Sequence, residues 1–307
     1  MGFFFHKKSH LGIFALIRIG YALILLVNIL TWWPFLEIWF GEYGLVPFEV
    51  SKQIVDENTI TLFQVLPQTP FTLWACYFIL IVNTVALACG FLTRLQLLSI
   101  FILYNSFVHR NVLIVDGEDI VFRLMAFYLF FSPAGYYFSF DNWIRNKIKQ
   151  FRTSGTSSSI PPPPQEFAIW PLRLIQIQTA TIVLFSACEK LNGADWIDGT
   201  ALYYVSRLDD LFYKLPLPGF LFKSMVFIKI MTWATIVFEI SAPIAVWFKR
   251  TRIPALIVLF LFHSSLEYTM NLNLFQYLMI LGWCSFLQPE DFAFIKRKLG
   301  FSTKTSD

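Results

Sequence analysis

The chain has 307 residues, of which 56% are hydrophobic and 19% aromatic, while only 14% are charged, well below the quarter or so found in ordinary soluble domains. That balance excludes a soluble globular protein and predicts an integral membrane protein. A formal net charge of +4 is too small to imply a nucleic-acid partner, and its distribution along the chain says more than its size.

The first ten residues carry Lys7 and Lys8 ahead of an apolar run from Leu11 to Trp33. The run exceeds the core of a cleaved leader and no small-residue cleavage site follows it, so it is expected to persist as the first membrane helix. Crossing the hydrocarbon takes about 20 helical residues. Segments 11–33, 71–93, 95–113, 119–138, 167–189, 224–248, 252–270 and 271–288 reach or approach that length. The expected fold class is all-α, a polytopic membrane helical bundle with about eight transmembrane helices.

Lysine and arginine set the orientation, because cytoplasmic loops hold them in excess. Lys7 and Lys8, Arg94, the 140–153 loop with Arg145, Lys147, Lys149 and Arg152, the 248–252 turn with Lys249, Arg250 and Arg252, and the tail from Lys296 to Lys304 all fall on one side. The intervening loops are acidic or mixed: Glu37 to Glu57, then Asp116 to Asp119, then Asp195 to Asp210. This predicts a multi-pass protein of the cell membrane with both termini cytoplasmic.

Between the fourth and fifth spans, Phe151 to Gln165 holds Ser157–Ser159 and Pro161–Pro164, a composition for a flexible, partly polyproline connector. It divides the chain into a first four-helix half at 1–150, a cytoplasmic linker at 151–166, a second four-helix half at 167–300 and a tail at 301–307. The halves resemble one another, since landmarks recur at an offset of about 155 residues. Phe14-Ala15 returns as Phe167-Ala168, Arg18 as Arg173, Trp39 as Trp196, His109 as His263 and Pro133 as Pro289. Copies with an even number of spans share one orientation, which implies a pseudo-twofold axis along the membrane normal.

Cys76, Cys89, Cys188 and Cys284 lie in or at the ends of apolar runs with no short-spaced pair. They read as small buried hydrophobes, and neither a disulfide framework nor a metal site is expected.

Ionisable groups inside membrane helices are costly and usually face the bundle interior; here they include Arg18, Arg173, Lys229, Glu239, His263 and Glu267. Gln176, Thr179, Ser186 and Lys190 fall within an arc of about 80° on the fifth helix, giving it a polar stripe. His263 and Glu267 are four residues apart, close enough to pair. At 1.5 Å of rise per residue, Lys190 stands at the outer end of its helix and His109, Lys229 and Glu267 in the outer third. His263 lies near the middle, Glu239 deeper, and Arg18 and Arg173 in the inner third. A pocket open to the extracytoplasmic side would thus gather a lysine base, two histidines and carboxylates.

Each group also has a plainer reading. Lys190 fits a snorkelling boundary residue as well as a base, His109 an interfacial residue, and Glu239 a buried charge partner. Arg18 and Arg173 read as structural, paired with a carboxylate such as Glu239 or capping backbone carbonyls. A mid-membrane His263 needs a partner but need not react.

Lys190-Leu191, Ala194-Asp195-Trp196-Ile197-Asp198-Gly199, Glu239-Ile240-Ser241-Ala242-Pro243, and Phe262-His263-Ser264 through Asn271 to Phe275-Gln276-Tyr277 together resemble the HTTM membrane domain shared with the vitamin K-dependent gamma-glutamyl carboxylases. The Arg18 helix with Gly41 to Pro47, and the stretch from Gly117-Glu118-Asp119 to Phe140-Asp141, extend the likeness to nearly the whole chain. The resemblance implies that Lys190 deprotonates a reduced, vitamin K-like quinone, with His263 steadying the developing negative charge and Glu239 completing the catalytic set. His109, Lys229, Glu267, Trp196 and Asn271 are the candidates for holding substrate.

The chain departs from the carboxylases at Glu118-Asp119, where they carry an Asn-His pair. It also ends at Asp307, short of their large luminal domain, so glutamate carboxylation itself is not the expected reaction. The chain is similar too to short HTTM proteins that mature a sporulation-delaying peptide toxin, which implies a secreted peptide, a soluble partner protein and membrane lipid as partners. Its four-helix repeat looks like that of DoxX-type membrane proteins, another link to redox or quinone chemistry. The first expectation is a lysine-based enzyme acting on a quinone, lipid or exported peptide; the alternative is a non-catalytic maturation or immunity factor for a secreted toxin. A transporter ranks last, since no broken-helix pair is evident.

Overall fold

In hydrocarbon a long apolar segment satisfies its backbone internally by becoming helix, and the computed structural model has no β-strand among the described residues. It describes residues 11–55, 59–152, 169–208, 220–270, 272–288 and 290–291. The helices in order are α1 (Leu11–Thr31), α2 (Leu36–Phe40), α3 (Phe48–Ile54), α4 (Leu62–Val65), α5 (Pro70–Cys89), α6 (Thr93–Arg110), α7 (Gly117–Phe130) and α8 (Phe140–Arg152). They continue as α9 (Trp170–Leu191), α10 (Ala194–Ile197), α11 (Ala201–Val205), α12 (Met225–Ala245), α13 (Arg252–Thr269) and α14 (Phe275–Cys284).

Four stretches are long and apolar enough to cross a membrane: Gly12–Phe40, Pro70–Cys89, Trp170–Leu191 and Met225–Ala245. The other four expected spans fall short for a physical reason. Helices α6 and α13 have 18 residues each but carry charged and polar groups, α7 has 14 residues, and α14 has 10.

Contacts divide the chain into two compact units, Met1–Arg173 and Leu174–Asp307. The division falls inside α9. The expected linker at 151–166 lies outside the described residues except for Phe151 and Arg152, which finish α8 and are helical where a connector was expected.

In the first unit α1 packs on α5, α5 on α6, α6 on α7 and α7 back on α1. Helix α5 shows how sequence sets its ends. Thr69 accepts a hydrogen bond from the Thr72 amide with Pro70 in the first turn, and Gly90 closes the helix at φ 68°, a left-handed conformation that glycine adopts without strain. The fully buried Arg18 guanidinium donates to the carbonyls of Ala134 (2.6 Å), Tyr137 (3.3 Å) and Phe138 (2.5 Å). Of the two roles open to it, Arg18 therefore takes that of a carbonyl cap.

A second buried guanidinium, Arg110, donates to the Val46 carbonyl at 2.8 Å and to that of Gly41, holding the Gly41–Pro47 stretch against the end of α6. Between them the Tyr104 hydroxyl donates to Asp119 Oδ1 at 2.5 Å and accepts from the Asn28 amide at 2.9 Å.

In the second unit α12 packs on α13 and α13 on α14 around Ala180, Val183, Leu259, Met279 and Trp283. Gln176 is buried and donates to the Ser285 carbonyl at 2.7 Å. Thr179 sits so close to Gly282 that a Cβ there would lie 2.3 Å from Thr179 Oγ1. Gly282→Ala is therefore expected to destabilise the protein by about 1–3 kcal/mol through overpacking. Thr179→Ala added to it should restore most of that loss in thermal unfolding of the purified protein.

The four cysteines are free thiols. Cys76 is buried, but Cys89 and Cys188 are exposed, because both sit at helix ends where the bundle no longer covers them. This corrects the expectation of four buried hydrophobes.

Candidate functional site

The polar stripe on α9 is real, and it ends in an ion pair. Lys190, in the last turn, turns inward: its side chain is 17% exposed and its Nζ lies 2.8 Å from Glu239 Oε2. It also donates to Glu239 Oε1 at 3.0 Å and to Ser186 Oγ at 2.5 Å, one turn back on its own helix. Glu239 is buried in the middle of α12. Its Oε2, the oxygen nearest the ammonium, is fully screened from solvent.

The chain after Lys190 folds back over the pair. Gly193 N donates to the Lys190 carbonyl at 3.0 Å and Trp196 N to the Gly193 carbonyl at 3.1 Å, which starts α10 and swings the Trp196 indole over the amine. Nζ stands 5.1 Å from the indole centroid, within the range of a cation–π contact. The α10–α11 turn is tied to α12, with Trp233 Nε1 donating to the Ile197 carbonyl at 3.1 Å and Leu202 N to Thr232 Oγ1 at 3.3 Å. In that turn the exposed Asp198 carboxyl is held below the usual carboxylate range, chiefly by the Thr200 hydroxyl and also by the Thr200 amide, with Lys229 adding attraction.

On α12, Pro243 follows Glu239 by one helical turn and lies inside the helix. Proline has no amide hydrogen, so the Glu239 backbone carbonyl lacks its usual helical donor.

His263 is buried and satisfied elsewhere. Trp283 Nε1 donates to its Nε2 at 3.0 Å, which places the proton on Nδ1, where it meets Gln276 Oε1 at 2.6 Å. The expected His263–Glu267 pair is thereby corrected: both lie on the buried side of α13, but α14 supplies better-placed partners across the interface. Glu267 is likewise buried. Lys229 is half-buried, its stem beside Gly199. His109 lies in the first unit, its Nδ1 2.8 Å from the Asn105 carbonyl. Asn271 lies outside the described residues.

The structure thus brings together Lys190, Glu239, Ser186 and Trp196, and gives His263 a separate Gln276–Trp283 cluster. Sequence reasoning missed Ser186 as a lysine partner only in part, since the stripe contains it. It missed Arg110, Tyr104 and Asp119 as a buried polar system. The signal for Arg110 was available, because a guanidinium inside an apolar run always needs acceptors.

The chain is similar to the uncharacterized protein YitO of Bacillus subtilis (strain 168), 24% identical over 242 residues that cover 74% of this chain and 71% of the relative. It is similar also to the sporulation-delaying protein SdpB of the same organism, 33% identical over 124 residues, a stretch that spans 38% of each chain. No solved structure matches. The family model of the HTTM domain matches residues 7–290, and with its apolar membrane-length helices the chain belongs to the HTTM domain family of membrane proteins.

Proposed function

We propose that this protein acts on an exported peptide at the extracytoplasmic face, with Lys190 and Glu239 as its polar centre. The observation that carries the reading is the buried pair itself, covered by Trp196 and anchored by Ser186. A coupled amine and carboxyl are net neutral whether ionised or not, so a proton can pass between them without changing the charge held in hydrocarbon. The sequence resemblance to short HTTM proteins that mature a peptide toxin favours a peptide over a lipid as substrate. The topology that accompanies this reading has eight passes in two similar four-helix halves and both termini in the cytoplasm, supported by the one-sided lysine and arginine excess.

The carboxylase resemblance would add a reduced quinone whose proton Lys190 takes. The residues do not fit that group as arranged: His263, which would steady its developing charge, has both nitrogens occupied by Gln276 and Trp283. The proposed chemistry is therefore confined to the peptide.

Lys190→Ala is expected to abolish function in a deletion strain scored for active secreted peptide, while the protein still inserts at the wild-type level. Full activity of that variant would remove the reading. A second reading, a non-catalytic maturation or immunity factor, is favoured by the exposed acidic turn of Asp195 and Asp198. In that case function survives Lys190→Ala and fails when both aspartates become asparagine.

A further inference from the structure

The basic segment at 140–152 reads in sequence as a loop, yet it forms α8, the most sharply two-sided of the long helices. Phe140, Trp143 and Ile148 are 46%, 55% and 48% exposed. At 100° per residue these three, with Ile144, occupy an arc of about 140°, which also holds the exposed Lys147, while Arg145 falls outside it. An exposed aromatic and aliphatic face, with a lysine long enough to snorkel and an arginine beside it, is what a helix lying in the headgroup layer requires.

The first turn of α8 is fixed at the end of a membrane-length helix. Asp141 accepts from the amides of Leu92 (2.8 Å) and Thr93 (3.2 Å), and its own amide donates to the Gly90 carbonyl at 3.1 Å, just past α5. Beside this junction opens a cavity of about 450 Å³ whose polar lining includes Thr93, Arg94, Ser132, Tyr136 and Arg145. The Arg145 guanidinium lies 5.5 Å from the Tyr136 ring centroid. Both arginines are exposed, and neither donates a hydrogen bond among the described residues. Asp141 also lines the cavity, but its oxygens are taken up by Leu92 and Thr93, so the two guanidinium groups dominate the local charge. At the rim Leu92 and Leu95 are 47% and 57% exposed.

We propose that this cavity binds the headgroup phosphate of an anionic phospholipid, with α8 lying on the same leaflet. Arg94 and Arg145 supply the planar donors that match phosphate oxygens. The apolar rim of Leu92 and Leu95 gives the acyl chains a path into the bilayer, for which a free phosphate has no use. The leaflet is the one that the lysine and arginine excess assigns to the cytoplasm, where anionic lipid attracts basic segments beside membrane spans.

The test uses the full chain purified in detergent and native mass spectrometry with phosphatidylglycerol or phosphatidylcholine added. Wild type is expected to retain phosphatidylglycerol in preference. The Arg94→Gln/Arg145→Gln double variant should bind it about thirtyfold more weakly, from roughly a fivefold contribution per basic residue, with phosphatidylcholine unchanged. Arg207→Gln, outside the cavity, should behave as wild type. Equal binding of the two lipids by wild type overturns the proposal without recourse to any variant. So does displacement of phosphatidylglycerol by millimolar inorganic phosphate, which identifies a free-anion site, or a folded double variant with undiminished preference.

Discussion

Lys190→Arg is expected to yield a folded, membrane-inserted and inactive protein. Arginine keeps the positive charge and pairs with carboxylates in a planar, two-pronged geometry, but it does not release its proton in the physiological range. A purely structural ion pair tolerates that exchange; a lysine that transfers protons does not. If the pair moves protons in the reaction, activity should fall by at least about a hundredfold, the lower end of what general acid–base catalysis contributes. Thermal stability should stay close to wild type. Glu239→Gln complements the test, because it preserves shape and one acceptor oxygen while removing the carboxylate, and it too should be inactive. Wild-type peptide maturation by Lys190→Arg would reduce the pair to scaffolding.

The largest effect on stability is expected at Arg18. Leucine there strips the donors from the buried Ala134 carbonyl and from the part-buried Tyr137 and Phe138 carbonyls. An unpaired buried acceptor costs about 1–3 kcal/mol, and the two part-buried carbonyls recover part of theirs, so Arg18→Leu should lose about 2–4 kcal/mol. Chemical unfolding in detergent micelles measures it. Arg18→Lys should recover little, since a single ammonium on a flexible stem does not span three carbonyls as the guanidinium fork does. A loss below about 1 kcal/mol would mean that water reaches those carbonyls and that the arginine is dispensable.

Much of the fold was legible, because helical backbone in a membrane is forced by the absence of any other hydrogen-bonding partner. Composition alone therefore located most helices, although α6, α7, α13 and α14 are shorter or more polar than their apolar runs implied. Single buried charges were also legible, and Lys190, Glu239 and Arg18 all stand out by type and position. Their partners were less so. Glu239 fitted an arginine as well as a lysine, and only the packing of α12 beside the end of α9 selects Lys190. His263 and Glu267 satisfied the spacing rule for neighbours on a helix, yet that rule compares residues within one helix and says nothing of Gln276 and Trp283 on the next.

The 140–153 segment shows the opposite failure. Its charges drew attention to sidedness and hid the recurrence of Phe140, Trp143, Ile144 and Ile148 at helical spacing, which was present in the sequence throughout. Arg110 was passed over for its neighbour His109, although a permanent charge inside an apolar run makes the stronger demand on its surroundings.

The proline one turn beyond Glu239 bears on how the polar centre could change state. With no amide at position 243 to grip the carbonyl above it, α12 loses one rung of its ladder there, and flexing at that level breaks no existing bond. The carboxylate thus rides beside an articulation, and small swings of the inner segment would alter its reach to the amine of the facing helix.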